Sequence, residues 1–296
     1  MKTVRTAVLD IGYLEAGPAD GRAVILLHGW PSDVHDYDDV APPLAQAGYR
    51  VLVPWLRGFG PTRFLHPATP RSGQQAALGT DLRDFMDALG IRNAVLVGYD
   101  WGGRAACVVA ALWPERVSGL VAITGYAIQD IAAGARPGPA EQEYHYWYQW
   151  YFHTDRGMAG LTANRVEIAR LLWHLWSPHL AFDEATIRAT AESFANPDFV
   201  GVTIQSYRHR YGNAPGDPAY DDLEARLARL PAIAVPTIVL HGADDGVAPP
   251  ELSIPRDRLF NRLIERRQIP RAGHFLSRED PDEVTAAVTR LAGMTP

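Results

Sequence analysis

Short runs of almost continuous apolar residues alternate, along most of this chain, with longer stretches in which apolar positions recur every three or four residues. The runs are TAVLDI (6–11), IGYLEA (11–16), AVILLHG (23–29), RVLVPWL (50–56), AVLVGYD (94–100), VSGLVAITG (117–125), PTIVLHG (236–242) and RRQIPRAG (266–273). Each predicts a strand, and from AVILLHG onward the scarcity of polar alternation predicts strands covered on both faces. Between them, YDDVAPPLAQAG ends on Gly48, and GQQAALGTDLRDFMDALG sets Ala77, Leu82, Phe85 and Leu89 on one stripe before stopping at Gly90. WGGRAACVVAALWP stops before Pro114. Helices ended by glycine or proline, interleaved with buried strands, predict an α/β fold: a mostly parallel, eight-stranded sheet with helices on both faces.

The alternation stops between about 131 and 220. No strand of that quality occurs there, and the stretch opens on the turn-rich AAGARPGPAE. It holds 15 of the 29 Trp, Tyr and Phe residues, among them YHYWYQWYF (144–152) and LLWHLW (171–176). The expected organisation is a core in two parts, 1–130 and 221–296, with an inserted helical cap over 131–220 that covers an apolar pocket. Most of its aromatics are expected to fill the cap's own core.

Composition removes several function classes. A net charge of -6 with no cluster of Lys and Arg argues against nucleic acid as a partner. No apolar stretch approaches the roughly 20 residues that span a bilayer, so no membrane partner is expected. The amino-terminal MKTVRTAVLDIGYLEAG meets an acidic residue before any apolar region long enough for a secretory signal. Cys107 is the single cysteine, so neither a disulfide nor a cysteine metal site is expected, and no cofactor or metal is called for. The default is a cytoplasmic monomer or small homo-oligomer.

The chemistry centres on Gly98-Tyr99-Asp100-Trp101-Gly102-Gly103, where a strand meets a helix in a sharp turn. Small residues two before and two after Asp100 allow the close approach of a nucleophile elbow, which lifts the central side chain above the carboxyl ends of the strands. By itself Asp100 reads equally well as a helix N-cap. Two further strand ends shift that balance. His28-Gly29-Trp30-Pro31 follows AVILLHG, where an oxyanion N–H is supplied, here by Trp30, with Trp101 giving the second. Asp245 and His274 follow the last two strand runs, so nucleophile, acid and histidine fall in the order of α/β-hydrolase triads.

On these residues the chain resembles the α/β-hydrolase-fold superfamily over essentially its whole length. With aspartate at the elbow it is similar to epoxide hydrolases and to haloalkane and haloacetate dehalogenases. A carboxylate nucleophile suits attack on a saturated carbon: the product is an alkyl ester whose carbonyl belongs to the enzyme, where serine would leave an ether. The resemblance implies Asp100 as nucleophile, His274 as general base, Asp245 as its orienting acid, and the Trp30 and Trp101 N–H groups as oxyanion hole. Within Tyr148-Gln149-Trp150-Tyr151-Phe152 and Gln205-Ser206-Tyr207-Arg208 it implies Tyr148 and Tyr207 as donors to an epoxide oxygen. Trp150, Tyr151 and Phe275 are the expected pocket walls, and an apolar or aromatic epoxide the expected small-molecule substrate. Asp244 and Asp130 are competing acids; Arg104 matches a carboxylate-binding arginine of haloacetate dehalogenases, or else makes a structural ion pair. Dehalogenase chemistry is the alternative activity. A non-catalytic ligand-binding protein is the alternative of another class, and retention of Asp245 behind His274 argues against it.

Overall fold

The structure, a computed structural model, describes residues 1–294. Nine strands form one sheet: β1 (Lys2–Arg5), β2 (Leu9–Ala16), β3 (Ala23–Leu27), β4 (Arg50–Pro54), β5 (Arg63–Phe64), β6 (Ala94–Gly98), β7 (Val117–Ile123), β8 (Thr237–Gly242) and β9 (Leu263–Ile269). Their order is β1-β2-β4-β3-β6-β7-β8-β9, with the two-residue β5 paired to β2. The β1–β2, β2–β4 and β2–β5 pairs are antiparallel, and the pairs from β4–β3 to β8–β9 are parallel.

Every residue of β3, β6 and β8 is buried, as expected of strands covered on two faces. At about 1.5–3 kcal/mol for each fully buried Val, Leu or Ile, these strands anchor the core. The sheet departs from the expected one at its margins. TAVLDI and IGYLEA belong to one strand, β2, because Thr6 turns the chain back through hydrogen bonds with Leu9. The short β1 carries Lys2 and Arg5, which face Glu15 and Asp10 across the pair instead of entering a core. Strand β9 starts at Leu263, three residues before the expected run; its Glu and Arg side chains make ion pairs along a half-exposed edge.

Around the sheet lie α1 (Ala41–Gln46), α2 (Gln75–Ala88) and α3 (Asp100–Leu112). Between β7 and β8 run α4 (Ile131–Gly134), α5 (Ala140–His145), α6 (Trp147–Phe152), α7 (Asp155–Trp176), α8 (Glu184–Ser193), α9 (Phe199–Arg210) and α10 (Asp221–Leu227). Three helices follow β8: α11 (Pro250–Ser253), α12 (Leu276–Glu279) and α13 (Pro281–Gly293). Helix α3 buries eleven of its thirteen residues against α2 and the sheet, which holds the first turn of α3 rigidly at the end of β6. Among the described residues no helix is long and apolar enough to cross a membrane.

Candidate active site

Asp100 has φ of 47°, a left-handed backbone that costs an ordinary residue roughly 1–3 kcal/mol and persists only where surrounding packing enforces it. The glycines around it provide that enforcement. A Cβ on Gly98 would stand 2.6 Å from the Gly102 backbone, and one on Gly102 would stand 2.2 Å from the Leu27 carbonyl oxygen. Tyr99 occupies the N-cap position of α3 and Asp100 is the first helical residue, so the simple cap reading fails. The carboxylate turns instead towards β3: Asp100 Oδ1 accepts from the Trp30 N–H at 2.9 Å. Its second oxygen, Oδ2, lies 3.4 Å from the Arg104 guanidinium, one helical turn along.

His274 and Asp245 meet from separate loops. His274 Nδ1 lies 2.8 Å from Asp245 Oδ2, while Asp245 Oδ1 accepts from the Val247 and Ala248 N–H groups at 2.9 and 2.8 Å. Burial alone would lower the His274 pKa, but Asp245 outweighs it, helped by Asp100 and Glu279, and the imidazole is held above its ordinary value. His274 Nε2 is buried without a protein partner. His28, two residues before Trp30, is different: it accepts from the Leu56 N–H through Nε2, and burial takes its pKa down to about 4. It is a neutral packing residue.

From the helical side, Tyr148 and Tyr207 come together with ring centroids 5.4 Å apart and nearly perpendicular, and both rings lie against the Trp30 indole. Burial raises both phenol pKa values, and the nearby Asp100 carboxylate raises them further, so both stay protonated at working pH. Among the described residues the Tyr207 hydroxyl has no well-formed hydrogen bond, although the Tyr148 hydroxyl is close enough to influence it. The Tyr148 hydroxyl accepts from Gln149 Nε2 at 2.7 Å, and Gln149 Oε1 accepts from the Tyr211 hydroxyl at 2.6 Å. That relay leaves the Tyr148 proton free. Neither Gln149 nor Tyr211 stands out as a site residue in the sequence, because the relay joins positions 62 apart.

A cavity of about 490 Å³ opens on Asp100 and His274, with Tyr148, Trp150 and Arg104 also in its wall. Two expected walls lie elsewhere. Phe275 is fully buried and packs against Tyr99, Trp176 and Phe182, and Tyr151 turns onto Gly160 of α7, where an added Cβ would stand 1.9 Å from its hydroxyl. Tyr207 is buried beside Tyr148 and outside the lining of this cavity. The lining is mixed, with arginines and carboxylates among the aromatics, where the sequence suggests an apolar pocket. Of the competing acids, Asp244 pairs with the exposed His179, and Asp130 caps α4. Among the described residues no group of three or more His, Cys, Asp or Glu side chains is placed to hold a metal ion.

Comparison with known proteins matches residues 22–281 to the alpha/beta hydrolase fold family. The chain belongs to that family. A crystal structure of a candidate epoxide hydrolase from Klebsiella pneumoniae superposes with a TM-score of 0.96 at 46% identity, covering 99% of this chain and 97% of that one. Epoxide hydrolase A of Mycobacterium tuberculosis is 27% identical, covering 97% of this chain and 95% of that protein. A haloalkane dehalogenase of Psychrobacter cryohalolentis is 26% identical, covering 96% and 87%. Within the alpha/beta hydrolase family the chain is thus epoxide-hydrolase-like, with dehalogenases among its relatives.

Proposed function

We propose that this chain is an epoxide hydrolase that converts an epoxide to a vicinal diol through an ester on Asp100. The observation that carries the reading is the pair of buried tyrosine hydroxyls near Asp100, with no proton of the pair held by a group outside it among the described residues. A departing alkoxide needs a proton, whereas a departing halide needs only a polar cradle, so two free phenolic donors fit the former.

In this scheme Asp100 Oδ2 attacks one ring carbon, the C–O bond breaks, and Tyr148 or Tyr207 gives its proton to the departing oxygen. Water then attacks the Asp100 carbonyl carbon while His274 Nε2 takes a proton, with Asp245 stabilising the imidazolium. Negative charge gathers on Oδ1, already bonded to the Trp30 N–H, with the Trp101 N–H as the second donor. Collapse releases the diol; the protons of the water end on the diol oxygen and the tyrosinate. Residues 131–220 serve as a cap that carries the tyrosines over the nucleophile. An aromatic or apolar body on the substrate would rest against the Trp150, Tyr146 and Tyr211 rings in the cavity wall.

Dehalogenation is the second reading, favoured by the Trp101 indole N–H, which is buried without an acceptor among the described residues, a donor of the kind a halide needs. Assays with styrene oxide, short haloalkanes and fluoroacetate separate the two. Diol formation from the epoxide supports the proposal; halide release with no diol overturns it. In oxygen-18 water, label should enter Asp100 during turnover.

A further inference from the structure

Most strongly buried arginines of this chain have a carboxylate. Arg57 lies on Asp81, Arg266 on Asp257 and Arg278 on Asp36, each at 2.5–2.6 Å. Arg210 is the contrast. It closes helix α9, its guanidinium stands over the Tyr146 and Tyr211 rings at 5.5 and 5.6 Å, and among the described residues it has no carboxylate within 4.0 Å. Its hydrogen-bond partner is an uncharged amide. With the Gln129 carboxamide turned so that its oxygen meets donors, that oxygen accepts from Arg210 Nε at 3.2 Å and Arg104 Nε at 3.1 Å. Arg256 lies close enough to feel the charges of Asp130 and Arg210, and its guanidinium holds the Tyr126 carbonyl and ring. Arg104, Arg210 and Arg256 all line the cavity that opens on Asp100.

A guanidinium withdrawn from bulk water, yet open to a cavity and lacking a counter-ion, is incomplete until an anion enters. Its planar fork fits a carboxylate through two parallel N–H donors. The carboxylates of Asp100, Asp130 and Glu143 share the same cavity and disfavour a second negative charge on the ligand. We propose that Arg210, backed by Arg256, is an anion subsite that selects epoxides carrying a carboxylate on the ring or next to it. The separation is short because Gln129 joins Arg210 to Arg104, and Arg104 is itself in contact with Asp100. This substrate class rests on the epoxide hydrolase reading, and it places one charged end on a substrate whose remainder meets the aromatic wall.

The test compares trans-3-phenylglycidate with its neutral amide, trans-3-phenylglycidamide. The wild-type enzyme should favour the acid in kcat/KM by ~10-fold or more, the effect of one charge-assisted bidentate contact. Arg210→Gln should collapse that ratio towards one, and Arg210→Lys should keep part of it. Equal turnover of acid and amide by the wild type, or an unchanged ratio in Arg210→Gln, overturns the subsite. Calorimetry with the unreactive pair cinnamate and cinnamamide needs neither a variant nor turnover: cinnamate should bind the wild type more tightly, less so as salt rises. If cinnamate keeps that preference while no epoxide is hydrolysed, the subsite stands and the epoxide reading falls. If styrene oxide is hydrolysed but cinnamate binds no better than cinnamamide, the subsite falls alone.

Discussion

The two sides of the cavity are finished differently. On the sheet side the polar groups are held by fixed partners: Asp100 Oδ1 accepts from the Trp30 N–H, Asp245 accepts from two backbone N–H groups, and His274 Nδ1 is bonded to Asp245. On the helical side the groups are held largely by packing: among the described residues Arg210 lines the cavity without a carboxylate, and the Tyr207 hydroxyl is unpartnered behind the lining, beside Tyr148. Steps common to every substrate need rigid preorganisation, whereas groups meant for a particular substrate must keep a free valence until it arrives. A buried polar group left open costs stability.

Substitutions on the sheet side should be the most damaging. Asp100→Ala should lower kcat by ~10⁴-fold or more, as removal of a group that acts in a unit does; a steady-state assay checks it, and native activity would undo the covalent scheme. His274→Gln should stall after the first step and leave a stable mass increase on the Asp100 peptide, read by mass spectrometry.

Substitutions on the helical side should be milder and should separate function from stability. Tyr148→Phe and Tyr207→Phe should each slow ring opening by ~10²-fold, with the double variant far slower, because proton donation contributes about that much. Tyr207→Phe should also raise stability by about 1 kcal/mol in denaturant titration, since it removes a buried hydroxyl that lacks a partner. If Tyr207→Phe is destabilising instead, the contrast between the two sides is lost. Gln149→Leu should cost less than either tyrosine change, ~10-fold in kcat with little change in KM, because it removes the bond that aims the Tyr148 hydroxyl, and the one from Tyr211 behind it, and leaves both phenols in place.

The smallest effect is a shift in pH dependence. His274 must be neutral to accept a proton from water, so ester hydrolysis should fall as pH drops through the His274 pKa, which in the free enzyme is held above its ordinary value. In the ester state Asp100 has lost its charge, one of the influences that hold the proton on His274. The limb measured for decay of the ester should therefore lie at lower pH than the titration of His274 in the free enzyme, followed by NMR.

Much of the core was legible because its signals are local. Strands β3, β6 and β8 are apolar throughout, and the elbow is written in consecutive residues whose glycines admit only one close packing. The margins were not: β1 and β9 are charged edge strands, and β5 has two residues, too short for any periodicity. Phe275 was misplaced as a cavity wall because adjacency to His274 says nothing about which side of the chain its ring leaves.

By itself, then, the sequence determined that Asp100, Asp245 and His274 follow three strand ends in that order, and the strands that carry them, since each depends on neighbours within one turn or one strand. Only the tertiary structure decided which aromatic side chains face one another, that Gln149 bridges Tyr148 and Tyr211, and that Arg210 opens on the cavity without a carboxylate while Arg104 meets Asp100. Those outcomes depend on how helices far apart in the chain pack together, and the charge and pattern of single residues do not encode that packing locally.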